Sequence, residues 1–389
     1  MNIDDMLLRP VWFEIDLDAM RHNFLEAQRL AGEDVKIICS LKCDAWGFGY
    51  LEAAEEVLSL GAYGVAVADL FEAINLRRHG IQAPILLYAN NLSSTADKVV
   101  EFNLIPTVTD WDSAVEYSKK APLPIDVYVK VDIGLNRIGV LPETAVNFVD
   151  KLLELENICV AGIYTHFHFS EDENYMNWQF KRFTGVLEDL EKKGIDIPVK
   201  MASATPSLLN YAHMSLNFVD PGRLIFGNPV VSRPKRAADL KPVFRSLKTR
   251  IVELKTLKPR EKFSEQSPYA VNKDMCIGVI PVGWGDGYSR DHSAAGAALV
   301  RGKRVAVLGD VCFEHTVVDL TDVPEAKIGD EVVLIGKQGD EHIALEEIAA
   351  IRNTDLHEVC QSVKKHIPRL YWKNGKPFKL ITPLGETRF

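Results

Sequence analysis

Up to Val219, short apolar runs alternate with stretches whose apolar positions recur every three to four residues. The apolar runs lie at 35–41, 64–67, 85–88, 105–108, 125–131, 160–165, 199–202 and 216–219, and the helical patterns at 51–60, 69–79, 144–155 and 175–193. Buried strands and amphipathic helices give these two periods. Eight strands alternating with helices predict a (β/α)₈ TIM barrel, with an open doubly wound parallel sheet as the alternative. From Phe244 the texture changes: 248–257, 275–282, 298–308, 316–320 and 331–335 read as strands with turns between them, and one helix is expected at 344–352. The expected organisation is a barrel over 8–235, a linker within 232–241 and a mainly β domain over 244–375.

Composition narrows the class. A chain of 389 residues is long for one domain, and its 47% hydrophobic content contains no apolar run long enough to span a bilayer. The acidic start Met1-Asn2-Ile3-Asp4-Asp5 lacks the basic flank of a signal peptide, so the expectation is a cytoplasmic protein with no membrane association. The net charge of -9 is spread without long like-charge blocks, which argues against nucleic acid as a partner and favours a small metabolite. Six cysteines without CxxC spacing signal neither a zinc site nor a disulfide framework.

The candidate chemistry gathers at strand ends. Lys42 follows the apolar run Ile37-Ile38-Cys39-Ser40-Leu41 and precedes the glycine-punctuated turn Cys43-Asp44-Ala45-Trp46-Gly47-Phe48-Gly49-Tyr50. A lysine desolvated at the mouth of a parallel sheet has its ammonium destabilised, and its free amine can form a Schiff base with a carbonyl cofactor. Taken alone, the segment reads rather as a lysine that snorkels from a strand end. Arg137, His166, Ser203 and Gly222 also fall at or just beyond strand C-termini, the face on which barrel enzymes work, and Ser203 and Gly222 follow the seventh and eighth strands, where such barrels bind phosphate. His166 and His168 form an H-x-H pair with metal-ligand spacing, but no completing His or Cys pair follows, so no metal is expected.

An ordered set of motifs carries a family resemblance. It comprises Arg9-Pro10-Val11-Trp12-Phe13-Glu14-Ile15-Asp16-Leu17-Asp18-Ala19, the Lys42 turn, Lys130-Val131-Asp132-Ile133-Gly134-Leu135-Asn136-Arg137-Ile138-Gly139, Tyr164-Thr165-His166-Phe167, Ser203-Ala204, Pro221-Gly222 with Phe226-Gly227, Gly283-Trp284-Gly285-Asp286-Gly287, Gly309-Asp310-Val311-Cys312-Phe313 and Pro368-Arg369. Together they resemble the alanine racemase family of fold-type III enzymes. The resemblance implies pyridoxal 5'-phosphate as cofactor, an amino acid as substrate, and a head-to-tail homodimer whose subunits share active sites. It further implies that Lys42 carries the cofactor as an aldimine and that Ser203 with the amides around Gly222 and Arg223 holds the phosphate. His166 and Arg137 would lie beside the ring, and Lys130 matches a lysine often carbamylated in the family.

The departures from the family pattern cluster around the cofactor. Asp220 stands where the family places an arginine against the ring nitrogen. An arginine only donates, whereas a carboxylate favours a protonated ring by roughly one to three pKa units; Arg223, three residues on, is the alternative partner. Trp284 stands where the family has a tyrosine base supplied by the partner subunit, and indole has no acid-base use near neutral pH. Trp46 and Lys365 replace phosphate-contacting tyrosines, Ala202 an asparagine and Phe313 a methionine. Lys42 is then the main base, with Cys312, Tyr288 and His315 as candidates for a second. The expected activity is racemisation or epimerisation of an amino acid through α-proton abstraction from an external aldimine. Another pyridoxal-phosphate reaction (decarboxylation, retro-aldol cleavage, β-elimination or transamination) or a catalytically silent cofactor-binding protein are the alternatives.

Overall fold

The computed structural model describes residues 6–89, 91–228, 231, 234–263, 270–293 and 295–389. It divides into two compact units. The first strand, β1 (Val11–Asp16), does not join the barrel: it runs antiparallel to Phe244–Arg250 and parallel to Arg369–Lys373 in the other unit. The next eight, β2 (Lys36–Ser40), β3 (Gly64–Val67), β4 (Ile85–Leu87), β5 (Ile105–Val108), β6 (Ile125–Lys130), β7 (Ile158–Tyr164), β8 (Val199–Ala204) and β9 (Phe218–Asp220), close a parallel barrel. β9 pairs back onto β2 through Lys36–Phe218 and Ile37–Val219, which leaves the barrel no open edge.

Each of the eight expected apolar runs overlaps one barrel strand. The barrel core includes a buried cluster of Ile38, Ala66, Leu86, Tyr128, Tyr164, Val199, Met201 and Phe218, drawn from seven of the eight strands. Large and small residues interlock there: the Tyr128 ring occupies the place where a Cβ on Gly162 would stand, 2.7 Å from its carbons, so the β7 position admits only glycine. Three of the barrel's helices begin on aspartates whose carboxylates accept orphan N–H groups. Asp69 caps Leu70–Arg78, Asp110 caps Trp111–Lys120 and Asp172 caps Glu173–Lys192. These caps fix the loops at the strand C-termini, where the candidate residues sit.

The second unit comprises Met1–Asp18, Trp46–Phe48 and Pro242–Phe389 and carries a twelve-stranded sheet. Two expected strands are each a pair: 248–257 divides into Phe244–Arg250 and Glu253–Leu257, and 298–308 is the hairpin Ala297–Val300 with Lys303–Leu308. A second helix, Leu356–Ser362, capped by Asp355, and the closing strands Arg369–Lys373, Lys376–Thr382 and Gly385–Arg388 were not expected. The barrel unit therefore begins at Ala19 rather than at 8, and the sheet continues beyond 375. Part of the expected linker, 232–233, lies outside the described residues.

Candidate active site

The chain leaves β2 at Lys42 in a left-handed turn: Cys43, Asp44, Ala45 and Trp46 have φ of 55°, 56°, 51° and 56°. Each such residue costs on the order of 1–2 kcal/mol, so the turn persists only if its surroundings hold it. The buried Glu72 carboxylate accepts the Asp44 N–H at 2.7 Å, Asp44 Oδ1 accepts the Tyr50 N–H at 3.3 Å, and the Ala45 N–H donates to the Leu41 carbonyl at 2.9 Å. The turn sets the position from which Lys42 enters the barrel mouth.

Lys42, Lys130, Arg137, His166 and Asp220 line one cavity of about 170 Å³, with Tyr88 and Tyr164 in its wall. Their charges are coupled. Burial lowers the Lys42 ammonium pKa, the Asp220 carboxylate opposing and Arg137 reinforcing the effect. Burial also brings Lys130 down to about 8 and, with Lys42 and Lys130 nearby, His166 to about 3, so the imidazole is neutral at neutral pH. Burial raises Asp220 to about 7 against the hydrogen bond from Tyr88 and the pull of Lys42 and Lys130. One carboxylate thus faces two lysines and an arginine in a small, poorly hydrated space, where such charges interact strongly.

Arg137 rides on a loop organised by Asp132. The buried Asp132 carboxylate accepts the N–H groups of Gly134, Asn136 and Arg137 at 3.0, 3.1 and 2.8 Å. Against burial, which raises it, those bonds hold this carboxyl below the usual carboxylate range. At the adjoining strand ends, Ser203 on β8 is fully buried, and its Oγ has no hydrogen-bond partner among the described residues. Gly222 is buried at the start of the short turn Gly222–Ile225, with Arg223 half-buried behind it. Ser203 pairs with Val219 and Ala204 with Asp220 in the β8–β9 register, so hydroxyl and carboxylate belong to neighbouring strand ends.

Trp46, Trp284, Cys312 and Lys365 belong to the other unit. The Trp46 ring lies 6.1 Å from that of His357, and Lys365 is exposed. Trp284 and Phe313 form an exposed edge-to-face pair with centroids 4.3 Å apart, and Cys312 is exposed beside them. Gly283 makes this turn possible: a Cβ there would stand 2.2 Å from the Cys312 carbonyl, while the Trp284 N–H donates to that oxygen at 3.0 Å. Asp286 anchors the turn by accepting two bonds from Arg9 at 2.7 Å each, one from the Gly283 N–H at 3.0 Å and a contact from His366 at 2.8 Å. Tyr288 departs from its expectation as a candidate base: it is 2% exposed, its ring packs edge-on against His292, and burial pushes its phenol up.

Sequence reasoning missed Tyr88, Asp132 and Glu72. Tyr88 ends an apolar run at a strand C-terminus, the signal that singled out Lys42, and its phenol donates to Asp220 Oδ2 at 3.0 Å. A larger cavity of about 710 Å³ borders Cys43, Phe71, Arg78 and Phe102 but contains none of the amines above. Among the described residues no three His, Cys, Asp or Glu side chains are grouped to hold a metal, and the His168 ring lies tilted against that of Phe169, with centroids 4.0 Å apart.

The N-terminal domain model of alanine racemase matches residues 15–229, and the C-terminal domain model matches 244–371. The chain belongs to the alanine racemase family. It is similar to the alanine racemase of Halothermothrix orenii, at 36% identity over 94% of this chain and 97% of that protein, and to alanine racemase 1 of Clostridium acetobutylicum, at 33% identity over 96% and 98%. Among solved structures it resembles the alanine racemase of Clostridium difficile 630 with a TM-score of 0.91, 28% identity and coverage of 97% of this chain and 100% of that one. The alanine racemase of Bacillus anthracis with bound L-Ala-P matches with a TM-score of 0.89, 28% identity and coverage of 97% and 98%. Members of the family are pyridoxal-phosphate-dependent isomerases acting on an amino acid. Among the described residues no helix is long and apolar enough to cross a membrane.

Proposed function

We propose that this chain is a pyridoxal-phosphate-dependent amino-acid racemase, with alanine as the substrate its relatives' names suggest. The observation that carries the reading is the desolvated Lys42 at the mouth of the closed barrel, in one cavity with Arg137, His166 and Asp220. The residues suit the cofactor: Ser203 offers a buried hydroxyl without a partner, and the backbone beside the buried Gly222 lets N–H groups approach a phosphate closely. In this reading Ser203, Gly222 and Arg223 hold the phosphate, with Trp46 and Lys365 as further contacts, and Lys42 carries the cofactor through Nζ. Bound there, pyridoxal phosphate supplies an electron sink that lets a Cα–H bond ionise.

The chain's own groups handle the proton. Once the substrate amine has displaced it, Lys42 Nζ, kept by burial from holding its proton tightly, exchanges the Cα proton on one face, and inversion requires that the opposite face receive its proton from another donor. Arg137, fixed by Asp132, presents a permanent cation to the carboxylate end of the site. His166 stays neutral and so adds no further positive charge. Asp220, in the same cavity, would supply a carboxylate to the cofactor's ring nitrogen. The Trp284 turn, with Phe313 and Cys312, is assigned to the partner protomer's site in a cytoplasmic homodimer; its two exposed aromatic rings support that role.

Borohydride reduction of the purified protein followed by peptide mapping should place the pyridoxyl label on Lys42, and chiral analysis should show interconversion of L- and D-alanine. A label on another lysine would overturn the Lys42 assignment. No interconversion with any of a panel of amino acids would overturn the racemase reading.

A further inference from the structure

In the family pattern position 220 is an arginine; here it is an aspartate, and a phenol from a different strand end meets it. Tyr88, just past β4, donates its O–H to Asp220 Oδ2 at 3.0 Å, and both residues line the Lys42 cavity. Ser40 on β2 hydrogen-bonds the same phenol, so the contact is tied into the barrel wall on a second side. From these placements, and resting on the pyridoxal-phosphate reading above, we propose that Tyr88 is a positioning residue. It fixes the Asp220 carboxylate as an anion that keeps the cofactor's ring nitrogen protonated.

Three considerations lead there. A buried carboxylate without a donor takes up a proton, and a neutral acid cannot stabilise a protonated ring nitrogen by charge. The Tyr88 hydrogen bond favours the anion and fixes one oxygen, restricting rotation of the carboxyl group. Burial works against the anion at this position, and Lys42 and Lys130, acting on Asp220 across the cavity, oppose that effect together with Tyr88. An arginine at 220 would add a fourth basic side chain to Lys42, Lys130 and Arg137 and would remove the acceptor to which the Tyr88 hydroxyl donates. Tyr88 and Asp220 therefore act together, and the aspartate gives this barrel a ring environment opposite in charge to the one the family pattern implies.

The groups facing Asp220 are Cys39 and Lys42 from β2 and its end, Tyr88 after β4, Lys130 on β6, Arg137 on the loop after it, Tyr164 on β7 and His166 just beyond it. Of these, Cys39 and Tyr164 are pushed upward by burial and stay neutral through the neutral range. The ring proton's dependence on pH therefore reports Asp220 and the two lysines. Lys130 is left unchanged in every variant below.

The test is ¹⁵N NMR of the protein carrying pyridoxal phosphate labelled at the ring nitrogen, recorded from pH 6 to 9. The wild type is expected to give the protonated-pyridine signal at neutral pH. Tyr88→Phe, which removes only a hydroxyl, should lower the pH at which that proton is lost by about one unit, a tenfold change in its equilibrium. Asp220→Arg should give the unprotonated signal throughout. If Tyr88→Phe fails to fold by circular dichroism, incorporation of fluorotyrosine, a stronger donor of nearly the same shape, should shift the wild-type titration in the opposite direction. An unprotonated ring in the wild type, or a titration unmoved by changing the phenol, would overturn the inference while borohydride labelling of Lys42 left the cofactor reading intact. Absence of any label on Lys42 would instead overturn the cofactor reading, and this inference with it.

Discussion

At the barrel mouth, Lys42, Lys130 and Arg137 share a cavity of about 170 Å³ with a single carboxylate, whereas the turn around Trp284 exposes two aromatic rings and buries its one carboxylate, Asp286. In the barrel, charges are desolvated and incompletely matched, so burial moves Lys42, Lys130 and His166 away from their ordinary pKa values. In the Trp284 turn the charge is matched: Arg9 takes both Asp286 oxygens, and Asp286 is held below the ordinary carboxylate range despite its burial. The first arrangement sacrifices local stability for reactivity, as functional sites commonly do. The second spends its polar groups on backbone geometry and leaves a shaped apolar surface.

Substitutions can separate these two designs. Lys42→Ala should have the largest effect on chemistry, lowering racemisation by at least about a thousandfold, or ~4 kcal/mol of barrier. Because it removes a desolvated cation, it should leave unfolding free energy within about 0.5 kcal/mol of the wild type or raise it. Chiral product analysis and denaturant unfolding on the same preparation check both halves; a Lys42→Ala protein that keeps its rate would remove the barrel mouth as the reactive region. Asp286→Ala should show the opposite signature. It strands Arg9 and the Gly283 N–H, and should cost about 2 kcal/mol of stability. Arg9 is about a third exposed and can turn to water, which limits the loss. Stability unchanged by Asp286→Ala would show that the anchor is not what holds the turn.

The two regions also differed in how well the sequence foretold them. Barrel strands are buried on both faces, so they appear as continuous apolar runs, and all eight were legible with Lys42 at the end of the first. The sheet of the other unit is antiparallel for most of its length, with half-exposed strands such as Glu253–Leu257, whose mixed composition blurs hairpin breaks. β1 was hidden for another reason: its partners are Phe244–Arg250 and Arg369–Lys373, distant contacts that no local period can reveal. Among site residues, Arg137, His166 and Asp220 were found from motif and strand-end position. Tyr88 belongs to none of the motifs, and only its contact with Asp220 gives it significance. The left-handed turn after Lys42 was equally hidden, because Cys43, Ala45 and Trp46, which flank Asp44 in it, are not residues that advertise positive φ.

The smallest expected effect belongs to Trp284 and sharpens the contrast furthest. If its ring acts as a wall, the chemistry depends on its bulk and not on a proton. Trp284 is 40% exposed and its main partner is the Phe313 ring, so Trp284→Phe removes part of one aromatic contact, about 1 kcal/mol or less. Racemisation should therefore fall by less than about tenfold. Trp284→Tyr restores a phenol at the position where the family carries its second base, and should raise solvent deuterium incorporation at Cα from one enantiomer more than from the other, since Lys42 already serves one face. Exchange measured by mass spectrometry from L- and D-alanine separately reads this asymmetry. Rapid, equal exchange in the wild type that Trp284→Phe abolishes would show that the turn contributes more than shape, and the division between a reactive barrel and a shaping turn would fall.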